Sequence, residues 1–191
     1  MRLAGLLLGL VLLPSAALAQ EAPPAGPSQR VRVVTTAGDF VIELDRGRAP
    51  LTVARFLKYV DEGFYSGVIF HRVVAGFIAQ AGGYTPDMQQ KPVTENLFNE
   101  AGNGLSNLRG YVGFARSNEP HSGTSQFYIN LADNIDLNPR PTRWGYAVFG
   151  KVIEGMEVVD DIGHRPTAGG GPFDRNVPVE PIIIERIERI E

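Results

Sequence analysis

Val68-Ile69-Phe70-His71-Arg72-Val73-Val74-Ala75-Gly76-Phe77-Ile78-Ala79-Gln80-Ala81-Gly82 decides the reading of this chain. It divides into two short apolar strands joined at Ala75-Gly76, a pair of residues suited to a tight turn. Three polar side chains, His71, Arg72 and Gln80, interrupt the apolar pattern. An arginine or a glutamine inside such strands costs stability unless it has a partner or a task. Arg72 and Gln80, with Phe77 and Ile78 between them, place a fixed cation and an amide beside an apolar surface. That combination suits an apolar residue whose neighbouring carbonyls need hydrogen bonds, and proline in a polypeptide is such a residue.

Outward from this stretch the pattern is of short strands. Val31 to Thr35 is β-branched, Ala37-Gly38-Asp39 marks a turn, and Phe40, Ile42 and Leu44 fall on one face of the strand that follows. The pair predicts a hairpin opening an antiparallel sheet. Further strands are expected at Tyr111 to Ala115, Gln126 to Asn130 and Tyr146 to Val152. The tail from Ile182 to Ile190 reads as either strand or helix. Helices are predicted over Pro50 to Glu62, with Val53, Phe56, Leu57 and Val60 at helical spacing, and over Glu154 to Ile162. Both are read as packing helices. Gly83 to Gly110 carries little strand signal and much Asn, Gly and Pro; so long a connection is usually functional. Gly169-Gly170-Gly171 is read as a flexible loop. Many short strands with two helices point to an all-β barrel or sandwich.

The motif resembles the central motif of the cyclophilins, the peptidyl-prolyl cis-trans isomerases. The resemblance continues through "ENLFNEAGNGLSNLRGYVGFAR" (Glu95 to Arg116), "GTSQFYIN" (Gly123 to Asn130) and "GYAVFGKV" (Gly145 to Val152), in one colinear order from Val31 to the C-terminus. "NLADN" (Asn130 to Asn134) followed by "GYAVFGKV" resembles the bacterial exported members in particular. The resemblance implies a closed eight-stranded antiparallel barrel capped by two α-helices, with a final strand near the C-terminus. It also implies a site. Arg72, Phe77 and Gln80 match catalytic positions. Ile78, Tyr128 and Leu137 complete the apolar pocket around Phe77, and Gln126 lines a neighbouring subsite. Ala115, Arg116 and Ser117 match a strand edge that hydrogen-bonds the residues before proline, and Tyr146 stands where a polar aromatic donates to the prolyl carbonyl.

Bond rotation needs no nucleophile, so neither cofactor nor metal is expected. The barrier of about 18–20 kcal/mol comes from amide resonance. A cation near the prolyl nitrogen stabilises only the twisted state, in which that nitrogen regains a lone pair. Arg72 is the candidate. The alternative is a binding module, a chaperone or scaffold that holds proline-containing peptides in the same groove with little turnover. Three departures from the family pattern stand out. Asp136 replaces an aromatic that contributes to cyclosporin binding, so weak binding is expected. Ile78 replaces a common Met, and Gly83 replaces an Asp, a change expected to alter loop geometry rather than catalysis.

Composition bounds the rest. The chain has 191 residues, 43% of them hydrophobic, and no cysteine, which removes disulfides and thiol chemistry. Arg2, the apolar run Leu3 to Leu13 and Ala17-Leu18-Ala19 fit a signal peptide cleaved before Gln20. The apolar run is shorter than the ~20 residues of a membrane span. Residues 20–30 read as a flexible leader and 31–191 as the domain. The net charge is −3, and loss of residues 1–19 removes only Arg2, leaving −4. A mildly acidic chain without a basic run is a poor partner for nucleic acid. The expected partners are unfolded or extended proline-containing polypeptides, with no membrane association after cleavage, and the protein is taken as a monomer in the periplasm. Two further patterns are set aside. Gly145 to Lys151 has P-loop spacing but is strand-like, and Ser125 with His121 lacks a nucleophile elbow.

Overall fold

The computed structural model describes residues 29–93 and 95–191. The expected signal segment and residues 20–28 of the expected leader lie outside them. β1 (Gln29–Thr35) and β2 (Gly38–Leu44) form the opening hairpin. β1 starts two residues before Val31, so Gln29 and Arg30 belong to the sheet. Gly38 turns the chain with φ 122°, and the Thr35 hydroxyl donates to the Gly38 carbonyl at 2.6 Å. A side chain at that φ would be strained, which is why the turn carries glycine.

α1 (Pro50–Asp61) buries Val53, Phe56, Leu57 and Val60, the stripe expected from their spacing. Its first turn lacks a capping side chain of its own. Instead the Glu100 carboxylate accepts the amide protons of Leu51 at 3.0 Å and Thr52 at 2.7 Å. A carboxylate there satisfies orphan donors and complements the helix dipole. The long segment from Gly83 to Gly110 is thereby tied to the helix.

β3 (Val68–Val74), β4 (Ile78–Ala81), β5 (Tyr111–Phe114), β6 (Phe127–Asn130) and β7 (Val148–Glu154) follow, then α2 (Met156–His164). β8 (Thr167–Gly170) and β9 (Phe173–Pro178) make a separate two-stranded ribbon, and β10 (Ile183–Ile190) ends the chain. The barrel closes in the order β1-β10-β3-β4-β6-β5-β7-β2, with every neighbouring pair antiparallel. This is the eight-stranded barrel with two helices that the family resemblance implied.

Three expectations resolve or shift. The tail, open between strand and helix, is the final strand that the resemblance implied: Ile184 and Ile187 face the core while β10 pairs with β1 and β3. The Gly169-Gly170-Gly171 loop is the turn end of the β8–β9 ribbon. α2 begins at Met156 because Gly155 sits at φ 75°, which ends β7 and starts the helix. Strand β7 covers Val148 to Lys151, so the P-loop spacing there belongs to sheet.

The interior is aromatic. Phe56 from α1 meets Phe127 edge-on at 5.5 Å, Phe149 at 5.2 Å and Tyr65 at 5.2 Å. Such pairs add to the area they bury. Val73, Ala79, Ala81, Phe127 and Ile129 point inward, so Arg72, Ile78, Gln80 and Tyr128, which alternate with them, stand on the outer surface of the barrel; an irregularity between Phe70 and Arg72 lets Phe70 face inward as well.

Candidate active site

β3 and β4 register Arg72 opposite Gln80, and β4 and β6 register Gln80 opposite Tyr128. Cross-strand partners lie within side-chain reach. Arg72 Nη1 donates to Gln80 Oε1 at 3.2 Å, and Gln80 Nε2 donates to Gln126 Oε1 at 2.8 Å. A guanidinium can only donate, so it fixes the Gln80 amide with its oxygen toward Arg72 and its nitrogen toward Gln126. The two glutamines therefore brace the cation. Partial burial lowers the Arg72 pKa from its ordinary value, with the nearby Arg175 acting in the same direction and Tyr146 against it. The group starts so high that it stays charged at neutral pH.

Gly83 has a role beyond the loop geometry expected of it. A Cβ there would stand 2.7 Å from the Gln126 side chain. The missing side chain leaves the space in which Gln126 reaches Gln80.

Phe77 lies in the β3–β4 turn, where its carbonyl accepts from Leu131 N and Asn134 Nδ2, both at 2.8 Å. Ile78 is buried at the start of β4. Leu137 ends a short 3-10 turn (Ile135–Leu137), and its carbonyl accepts the Tyr146 amide proton at 3.0 Å. Tyr128 and Tyr146 meet edge-on at 6.1 Å. None of Phe77, Tyr128 and Leu137 belongs to the barrel's core cluster.

Tyr128 is anchored by residues that the sequence reading passed over. Its hydroxyl donates to Asn107 Oδ1 at 2.7 Å, and Asn107 donates to Asn138 Oδ1 through its main chain at 2.9 Å and its side chain at 3.0 Å. Burial pushes the Tyr128 phenol up, so it remains a donor. Gly113 completes the seat, because a Cβ there would collide with the Tyr128 ring at 2.2 Å. The available signal was the density of asparagine between Asn96 and Asn107. Amide side chains in long connections often tie the backbone down.

Ala115, Arg116 and Ser117 follow β5 directly, and their main chains differ in what they offer. The Ala115 amide donates to the Gln126 carbonyl at 2.9 Å, and the Ser117 amide to Ser122 Oγ at 2.9 Å. Among the described residues the Arg116 amide and carbonyl take no partner. The Arg116 guanidinium is largely occupied: it donates to the carbonyls of Gly145 at 3.1 Å, Ser117 at 2.9 Å, Asn118 at 3.4 Å and Trp144 at 2.7 Å. It also covers the Tyr146 ring at 4.5 Å, a cation–π contact that holds the phenol in place. Ser117 itself is exposed and tied to Ser122 rather than to the Arg72 group.

Two other side chains singled out in sequence do different work. Ser125 is buried and donates to the Gly82 carbonyl at 2.8 Å, which leaves no hydrolase pair with His121. His71 is 1% exposed and packs on Tyr84 and Phe173 at ring distances of 4.7 and 5.5 Å. Burial lowers its pKa to about 4, so it is neutral at physiological pH. Asp136 is exposed and ion-paired with Arg140.

Residues 30–189 match the family model described as cyclophilin type peptidyl-prolyl cis-trans isomerase/CLD. The chain belongs to this family, and its activity is cis-trans isomerisation of peptidyl-prolyl bonds. It is 48% identical over 167 residues to peptidyl-prolyl cis-trans isomerase A of Dickeya dadantii, covering 87% of each chain. It is 51% identical over 158 residues to the isomerase cyp18 of Streptomyces antibioticus, covering 81% of this chain and 95% of the relative. Among solved structures, the Cryptosporidium parvum cyclophilin type isomerase cgd2_1660 superposes with a TM-score of 0.70 at 27% identity, covering 86% of this chain and 98% of that one. The same protein has been solved in the presence of the dipeptide ala-pro, with a TM-score of 0.70 at 28% identity, covering 85% of this chain and 99% of that one.

Proposed function

We propose that Arg72, Phe77 and Gln80 carry the isomerisation on the outer face of the barrel and that the protein assists folding of exported polypeptides in the periplasm. The proline ring rests on Phe77, Ile78, Tyr128 and Leu137. The main chain of Arg116 pairs with the residue before proline, a form of peptide recognition through backbone hydrogen bonds. Gln126 borders the neighbouring subsite, and Tyr146 donates to the prolyl carbonyl. As the X-Pro bond twists, the prolyl nitrogen turns pyramidal and gains a lone pair, which the Arg72 guanidinium stabilises. The planar ground state has no such lone pair, so the contact favours the transition state selectively.

The observation that carries this reading is the contrast in how the two arginines are used. Arg116 is spent on carbonyls, whereas Arg72 has one hydrogen bond, to Gln80, among the described residues. Arg72 therefore keeps donors for a substrate. NMR exchange on a short X-Pro peptide tests it. Arg72→Ala is expected to lower kcat/KM about 10²–10³-fold, the cost of removing one preorganised donor from a transition-state site, while peptide affinity is largely kept. Binding without acceleration by the unmodified protein would leave the binding-module alternative instead.

Export rests on the N-terminal sequence, and the periplasm on the resemblance to bacterial exported members. Recovery from the periplasm of a chain beginning at Gln20 would support it, and a cytoplasmic chain retaining Leu3 to Leu13 would contradict it.

A further inference from the structure

Beside the peptide edge three rings from separate segments stand together at the surface. Phe98 is 57% exposed and Trp144 is 47% exposed. Phe98 stacks on His121 at 4.5 Å with 14° between the planes, and Trp144 meets His121 edge-on at 5.0 Å. Single exposed apolar residues need no explanation, but contiguous ones mark contact surfaces.

The cluster is held rigidly. His121 Nδ1 accepts the Asn99 amide proton at 3.1 Å, which leaves the ring proton on Nε2. Asn99 Nδ2 donates to the Gly145 carbonyl at 2.9 Å. Arg116 Nη2 donates to the Trp144 carbonyl at 2.7 Å. The rings thus need little ordering when a ligand arrives, which favours binding. A shallow hollow lined by Leu97, Phe98, Phe114, Ala115, Arg116 and Pro120 runs alongside.

Continuity names the occupant. Ala115 and Arg116 line the hollow, and the Arg116 main chain is the edge assigned above to the substrate. Arg116 meets the peptide through its backbone and holds Trp144 through its side chain. A strand advances about 3.3 Å per residue, so a peptide paired with the Arg116 main chain through the residue before proline would carry its preceding residues past these rings.

We propose that Phe98, His121 and Trp144 form an accessory subsite for an apolar or aromatic side chain of the substrate polypeptide, a few residues before the X-Pro pair. The proposal rests on the reading that the Arg116 main chain pairs with the residue before proline. It gives the enzyme a preference for segments that carry hydrophobic residues near proline, as unfolded chains do.

The test compares two peptides that differ only in Phe or Ser a few positions before the X-Pro pair. With the unmodified protein the Phe peptide is expected to have a kcat/KM about fivefold higher, through KM, the size of an added aromatic contact. In the Phe98→Ala/Trp144→Ala double variant the ratio is expected to fall to about one. The ratio is insensitive to a general loss of fold or catalysis, which lowers both rates together. A ratio kept in the double variant overturns the proposal, as does a preference seen only when Phe follows proline. A dimer in sedimentation equilibrium that Trp144→Ala abolishes would assign the rings to a second copy of the chain instead. Equal acceleration of both peptides by the unmodified protein overturns the subsite alone. An Arg116→Pro variant, which removes the main-chain donor, that accelerates both peptides as well as the unmodified protein overturns the Arg116 pairing and the subsite with it.

Discussion

Strands β3, β4 and β6 carry two different chemistries on their two faces. Inward, Phe70, Val73, Ala79, Ala81, Phe127 and Ile129 fill volume in the barrel. Outward, Arg72, Gln80 and Gln126 form a hydrogen-bonded row beside Ile78, Phe77 and Tyr128. The inner face holds by packing, which tolerates exchange of one hydrophobe for another of similar volume. The outer face holds by direction, since each donor must meet a particular acceptor. One face stabilises the barrel and the other works because the barrel is rigid.

That division can be attacked from either side. The largest expected effect is on the inner face. Phe127 is fully buried and touches Phe56 and Tyr65. Phe127→Ala is expected to lower the unfolding free energy by about 3–5 kcal/mol through lost transfer energy and a cavity, read by urea denaturation. A cost below about 1 kcal/mol would mean that the interior is not the stabilising face.

His71 is buried outside the barrel's core cluster, against Tyr84 and Phe173. Its folded pKa is about 4 against 6.5 for a free histidine. Between those values the unfolded chain binds the proton and the folded protein does not. Stability from the neutral ring is therefore complete above pH 6.5 and is lost as pH falls toward 4, by on the order of 3 kcal/mol. Denaturation of the unmodified protein and of His71→Gln at both ends of that window isolates the residue from carboxylates that titrate in both. The difference between the two proteins is expected to change with pH, and a constant difference would rule out a neutral buried His71.

The smallest effect belongs to Tyr128→Phe, which deletes the hydrogen bond to Asn107 and keeps the ring. Asn130 Nδ2 still reaches the same Asn107 oxygen at 3.3 Å, so a loss of about 1 kcal/mol is expected. Isomerisation of a short X-Pro peptide by this variant should change little. A collapse of activity would give the hydroxyl a direct part in the reaction.

Legibility in the sequence followed the same division. Alternation of Phe40, Ile42 and Leu44 and the stripe on α1 are periodic signals, so the first hairpin and the helix could be read from spacing alone. Closure of the barrel could not, because β1 pairs with β10 across the whole chain and no local pattern encodes that partner. The colinear family motifs supplied it. Arg72 and Gln80 were visible as polar residues in apolar strands. The anchors were not. Asn107 under Tyr128, Glu100 on α1, and the space left by Gly83 and Gly113 depend on contacts between segments far apart in sequence. The β8–β9 ribbon was hidden for another reason: Gly169-Gly170-Gly171 carries no side-chain pattern, and a glycine run reads as a loop whether or not it pairs.

On the proposed reading Arg72 is placed for the substrate at some cost to the fold. Its lowered pKa, caused first by burial, marks a cation held partly out of water. The most direct measurement takes kcat/KM for a short X-Pro peptide and the unfolding free energy from the same preparation of Arg72→Ala. The expected result is a rate lower by about 10²–10³-fold with stability unchanged or slightly raised. A parallel loss of both, or a rate that survives the substitution, would contradict the assignment of Arg72 to the reaction.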